Sequence, residues 1–180
     1  TLPTRAELDD RWRALGPDGL VVTGDDLHER AGRSSRAIKA ALLDQRVVAG
    51  VGNIYADEGL FRARLHPETP ANRLSGGDWD GLAAELRTLL ARAVELRGST
   101  LRDSRDADGN IGAASRLHQV HGRAGPACNS RGSELRPLPA APRTPVVAPR
   151  CQALSPAYSS DIHNGDTHGE VSNILPRHTP

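Results

Sequence analysis

The residues best suited to chemistry lie between Ile38 and Phe61, and most of all in the run Val48-Ala49-Gly50-Val51-Gly52-Asn53-Ile54-Tyr55. Glycines at 50 and 52 permit positive φ and close approach of the backbone to a ligand. A helix opening at Asn53 presents unpaired backbone N–H groups, and such an end is a ready phosphate site. Asn53 can cap that helix or donate its side-chain amide to a phosphate. Nucleic acid is therefore the first partner to consider. The same residues also fit an ordinary helix–helix corner with a capping asparagine. Two cysteines, Cys128 and Cys151, and two histidines, His118 and His121, form the other cluster with ligand chemistry.

These residues need elements to position them. Thr4-Arg5-Ala6-Glu7 is a capping box, followed by Leu8, Trp12 and Leu15 at helical spacing and stopped by Gly16-Pro17. Asp25 or Asp26 starts a short helix that ends at Gly32. Ser34 or Ser35 starts the next, with Ile38, Ala41 and Leu42 on one face and a break at Gly50 and Gly52. The helix opening at Asn53 runs to about Arg64, before His66-Pro67. Ser75 to Asp78 begins a long helix whose stripe Leu82, Leu86, Leu89, Leu90, Ala93 and Leu96 reads as core. Residues 97–113 form a Gly-, Asp- and Arg-rich loop. Its Asp106-Ala107-Asp108-Gly109 lacks the later ligands of a calcium loop and reads as a turn. Short apolar pieces and turn residues over 117–151 suit a small β-hairpin. From Gln152 onward the composition is that of a disordered tail.

The 180 residues carry a formal net charge of +1, unevenly spread. Residues 30–73 hold eight positive against four negative residues, and residues 114–151 hold six against one. Separate basic blocks suit contact with a phosphate backbone. Hydrophobic residues make up 37% of the chain and aromatics 3%, so the core is lean and aliphatic. No apolar run approaches a membrane span and no signal peptide is visible, which makes a cytoplasmic monomer with no membrane partner the expectation. Two cysteines do not make a secreted disulfide framework.

The ordered string of motifs closely resembles the formamidopyrimidine-DNA glycosylases, bacterial enzymes that excise oxidised purines, and their endonuclease VIII relatives. The resemblance begins at Leu15-Gly16-Pro17-Asp18 and takes in residues 38–61 and Leu65-His66-Pro67. It continues through Gly98-Ser99-Thr100-Leu101-Arg102-Asp103 and Val120-His121-Gly122-Arg123-Ala124-Gly125-Pro126-Ala127-Cys128. It spans roughly residues 10–152. It implies that residues 38–61 are a helix–two-turn–helix, that Asn53 grips phosphate, and that Lys39 matches the lysine of the preceding helix. Residues 98–113 then match the loop that closes over a damaged base turned out of the duplex. Gly50, Gly52, Tyr55, Arg102 and Arg123 join the expected DNA-binding set, and Arg143 aligns with the arginine of the family's zinc finger.

Three departures qualify what the resemblance implies. In the family a terminal proline amine attacks the sugar and a glutamate follows it. Here Thr1-Leu2-Pro3-Thr4 opens the chain, Pro3 has an amide nitrogen, and the family's N-terminal β-domain has no counterpart. No catalytic residue is therefore assigned. The family's finger binds zinc through two Cys-x-x-Cys pairs. Here Arg131 and Ala148 stand at two of the four positions, which leaves Cys128 and Cys151 as remnant ligands. A structural zinc site wants four ligands. The hairpin is expected to be metal-free or unfolded unless His118 and His121 complete a set. If apposed, the two thiols are a disulfide pair on oxidation, which a cytoplasmic setting disfavours. Ala114-Ser115 replaces the family's Phe-Gln after the recognition loop.

The expectation is thus a mainly α fold. A helical helix–two-turn–helix domain occupies 1–112, a degenerate zinc-finger hairpin 113–152 and a disordered tail 153–180. Its implied role is to bind damaged double-stranded DNA as the C-terminal part of a bifunctional glycosylase/AP lyase of base excision repair, without cutting by itself. A non-catalytic nucleic-acid-binding module and a gene remnant are the alternatives.

Overall fold

The computed structural model describes residues 3–98, 113–138 and 145–154. Five α-helices build the body: α1 (Arg5–Arg13), α2 (Gly24–Ala31), α3 (Ile38–Leu42), α4 (Asn53–Arg62) and α5 (Gly76–Glu95). Single 3-10 turns lie at Ala71–Arg73 and Ala114–Leu117. Two short strands, β1 (Arg136–Pro137) and β2 (Val146–Val147), pair antiparallel with Arg136 opposite Val147. The mainly α body with a small hairpin agrees with the sequence reading. The expected recognition loop with Arg102, the expected finger arginine Arg143, and the expected disordered tail beyond residue 154 lie outside the described residues.

Helix α5 organises the body because its stripe has the period of a helix. Trp79, Leu82, Ala83, Leu86, Leu89, Leu90 and Ala93 are buried on one side. They pack on α2 through Leu27 and Ala31 and on α4 through Ala56 and Leu60. Leu96 falls past the helix end and is half-buried. Helix α1 carries the expected capping box but buries nothing, and Trp12 is 71% exposed.

Three element boundaries differ from the sequence reading. Thr23, not Asp25 or Asp26, caps α2, because Asp26 is the N3 acid that completes a box with it. Helix α3 starts at Ile38 rather than at Ser34 or Ser35. The backbone just before it is paired elsewhere: Ala37 bridges Pro70, Ile38 donates to Thr69 O at 2.8 Å, and Ala71 donates to Arg36 O at 3.0 Å. Helix α3 also ends at Leu42, well before the glycines. Asp44 stops it by accepting from the Arg46 amide and guanidinium at 3.0–3.1 Å. That arginine holds the Asp44 carboxyl down at about 2.

Candidate nucleic-acid interface

The turn between α3 and α4 is held from two sides. Gln45 staples it internally: its Oε1 accepts from the Gly50 amide and its Nε2 donates to Val51 O, both at 2.9 Å. The segment around Gly16-Pro17 ties it down from outside. Gly16 donates to Gln45 O at 2.8 Å, Ala49 to Pro17 O at 2.9 Å and Gly19 to Ala49 O at 3.0 Å. A Cβ at Gly16 would stand 2.6 Å from Val47 O, so the two segments approach as only glycine allows. Gly50 has φ +86°, the left-handed region expected for it. Gly52 does not, since its φ is −106°. It is extended and serves as the N-cap of α4, the place the sequence reading offered to Asn53.

That substitution of cap has a chemical consequence. Helices α1, α2 and α5 begin with Thr4, Thr23 and Ser75, whose hydroxyls accept from the N3 amide while the N3 acid reaches back. Helix α4 has no side-chain cap, and a Cβ at Gly50 or Gly52 would meet no protein atom within 4 Å. The dipole's positive end, and amides that the helix itself cannot satisfy, lie behind open space. A hollow of about 360 Å³ occupies that space, lined by Gly50, Gly52, Asn53, Ile54, Tyr55 and His121. Asn53 is half-buried. Its Oδ1 is sealed from solvent without a hydrogen-bond partner.

Beneath the hollow lies a buried charge network. Lys39 is 5% exposed, and its Nζ lies 2.7 Å from Asp57 Oδ1. The other carboxylate oxygen of Asp57 is 2.8 Å from His121 Nδ1. The Lys39 ammonium thus points into the fold, and Asp57 joins α3, α4 and the start of the finger. Glu58, fully buried, makes a second joint. Its carboxylate accepts from the backbone amides of Gln119, Val120 and His121 at 2.8–2.9 Å. Arg123 follows, with Nη1 3.4 Å from Gln119 O. Burial lowers the His118 imidazole pKa, with Glu58 acting in the opposite sense. A second, apolar hollow of about 420 Å³ lies at the end of α5 and shares Tyr55 with the first. Gly98, the last described residue before position 99, lines it.

Sequence reasoning missed Gln45, Asp57, Glu58 and Gln152. A signal existed for two of them: Asp57 and Glu58 sit between Ala56 and Leu60 on a helix that is otherwise apolar there. Adjacent acids in that setting need buried partners. Gln152 is 2% exposed; its Nε2 donates to Leu65 O at 2.9 Å and its Oε1 accepts from Ala148 N at 3.1 Å.

The finger is folded among the described residues, around Phe61, Val120, Cys128, Leu135, Val146 and Ala148. Its donor set does not fit a structural zinc ion. Ala148 is buried in the apolar cluster, Arg131 Nη1 donates to Arg150 O at 3.3 Å, and His121 Nδ1 is engaged by Asp57. Among the described residues, no three His, Cys, Asp or Glu side chains converge on a metal position. Four ligands are needed for a closed site.

Known proteins resemble this arrangement in both sequence and shape. A formamidopyrimidine-DNA glycosylase of Thermomicrobium roseum is 46% identical over 143 residues, covering 78% of this chain and 50% of the relative. One from Nitratidesulfovibrio vulgaris is 44% identical over 141 residues, covering 78% of this chain and 39% of the relative. The chain thus spans about half the length of such relatives. The crystal structure of the MutM (Fpg) protein of Thermus thermophilus superposes with a TM-score of 0.74 at 43% identity, covering 80% of this chain and 56% of that one. Lactococcus lactis Fpg in complex with an abasic site containing DNA superposes with a TM-score of 0.75 at 30% identity, covering 84% and 57%. Residues 15–105 match the family model described as the formamidopyrimidine-DNA glycosylase H2TH domain, and the chain belongs to that family.

Proposed function

We propose that this chain is the DNA-gripping part of a bifunctional glycosylase/AP lyase of base excision repair acting on oxidised purines. The observation that carries the reading is the uncapped N-terminus of α4, set behind Gly50 and Gly52 and open to the hollow. A phosphate oxygen there would meet backbone amides, the positive end of the helix and the Asn53 side chain. With Asn53 Oδ1 turned inward, its amide nitrogen is the donor left for the phosphate. His121 and Tyr55 flank the same anion. Lys39 serves the interface from beneath, by fixing Asp57 and through it His121. Arg123, Arg102 and Arg143 supply further phosphate contacts from the finger and the loop. The DNA named in the Lactococcus lactis complexes supports the same partner.

The resemblance assigns the nucleophilic proline to a domain that residues 10–152 do not match, so this chain is proposed to hold DNA without breaking a bond. Borohydride trapping on abasic-site duplex should give no covalent adduct, and a clear adduct sinks that part of the reading. The grip is tested by binding the same duplex across a salt series. About 4–6 phosphate contacts predict a steep decline in affinity with salt. Asn53→Ala should weaken binding about tenfold at every salt concentration, because a neutral donor releases no counterion. Arg123→Ala should instead flatten the log–log slope by about 0.9. Unchanged affinity for Asn53→Ala would remove the phosphate from the α4 terminus.

A further inference from the structure

The two finger turns that a metal would bridge face each other here with only sulfur between them. The first turn is closed by Cys128 N to Ser133 O at 2.8 Å and Gly132 N to Cys128 O at 2.7 Å. The second is closed by Cys151 N to Ala148 O at 2.8 Å and Gln152 N to Ala148 O at 2.9 Å. Across the gap, Cys128 Sγ and Cys151 Sγ are 3.7 Å apart, in van der Waals contact, and both are free thiols. Arg131 reaches over the same gap to Arg150 O, so the turns are already apposed without the bond. The residues that left the ligand set did so in a way that keeps this contact. Ala148 fills the core beneath it and Arg131 spans its rim.

We propose that Cys128 and Cys151 are a reversible disulfide site that secures the finger in place of a metal, with a low-molecular-weight disulfide as its oxidant. Access decides the order of events, against the burial and the neighbouring Cys128 that push the Cys151 thiol up. Cys128 is buried, whereas Cys151 is partly exposed and lines a polar hollow of about 320 Å³ together with Arg62, Arg64 and Arg131. Three guanidinium-bearing side chains against the single carboxylate of Glu85 leave the hollow net positive, which suits an oxidant that carries carboxylates, as oxidised glutathione does. The Cys151 thiolate attacks one sulfur of that disulfide, forms a mixed disulfide and releases one small thiol. The Cys128 thiolate then attacks the Cys151 sulfur and releases the second. One protein S–S bond forms and one small-molecule S–S bond breaks. The two protein protons leave on the two released thiols. The new bond closes a loop between residues 23 apart in sequence. That loop carries Arg131, Arg136, Arg143 and Arg150, so the oxidised form ties the two finger turns together covalently, whereas the reduced form relies on noncovalent contacts between them alone.

The test uses the full 180-residue chain at pH 8, reduced and then incubated with excess oxidised glutathione or with buffer. It is quenched by alkylation under denaturing conditions and weighed intact. The expected product is a monomer about 2 Da lighter than the reduced chain, with no alkylated thiol and a tryptic peptide pair joined through Cys128 and Cys151. Amide exchange over residues 127–136 should slow about tenfold in that product, since closing the loop suppresses local opening. A stable glutathione adduct, an intermolecular dimer or two alkylated cysteines would overturn the proposal, as would identical exchange in the two forms. Stoichiometric zinc bound by the reduced chain, protecting both thiols from alkylation, would overturn it as well.

Discussion

The helical body and the finger solve the same problem with different means. The body, up to Gly98, buries a continuous aliphatic core in which α5 packs on α2 and α4. The finger has only a small cluster, with two strands of two residues each. What fastens it to the body is Phe61 of α4, buried in that cluster, together with a polar set: Glu58 beneath the amides of Gln119 to His121, Asp57 on His121, and Gln152 on Leu65 O. Apolar burial tolerates many sequences, since area is what matters. A polar joint depends on each partner being present, because a buried group left alone costs more than a bond returns. The contrast shows how a finger with half its metal ligands replaced can stay folded. Its polar joints to α4 engage residues 119–121, outside the metal positions.

The largest effect should come from breaking the body. Leu86 is fully buried against Gly59, whose Cβ position lies 2.6 Å from Leu86 Cδ2. Leu86→Ala should lower global stability by about 4 kcal/mol, read by urea denaturation, and should loosen the finger along with the helices. Breaking the joint should separate the two regions. Glu58→Ala strands three backbone amides at a cost of about 3 kcal/mol, but locally. Amide exchange should accelerate at residues 119–121 and through the finger while α5 keeps its protection. Equal loss in both regions would show that the finger and body unfold as one unit.

A third effect, spread over a range of pH so that the change per pH unit is the smallest of the three, belongs to the body. Burial holds the His66 imidazole down to about 4, against an ordinary 6.5, and its Nδ1 accepts from the Glu68 amide at 3.3 Å. Between those values the unfolded chain binds a proton that the folded chain refuses. Stability contributed by neutral His66 is therefore complete above about 6.5 and is lost as pH falls toward 4. The slope is at most about 1.4 kcal/mol per pH unit, one proton's worth. Denaturation midpoints measured across that window should fall, and His66→Gln should remove that share of the decline. An unchanged slope in the variant would assign the pH dependence elsewhere, with His118 of the finger next to be tested.

Much of this was legible in the chain because it is local. Thr4, Thr23 with Asp26, and Ser75 with Asp78 are boxes whose partners lie three residues apart, and the reading located two of the three. The Gly50 turn and the α5 stripe depend on backbone sterics and helical period, which neighbouring residues express by themselves. The start of α3 was not legible, since residues 36–38 are claimed by hydrogen bonds to residues 69–71. Nor was the burial of Lys39, which depends on Asp57 being brought across from the next helix.

By itself the sequence determined the family, the helical period and the glycine-pinned turn before α4, because these are properties of residues a few positions apart. Tertiary structure alone decided that Lys39 faces inward, that Glu58 anchors the finger and that Cys128 meets Cys151. Those outcomes depend on segments between 18 and 63 residues apart, whose meeting is set by packing of the whole core.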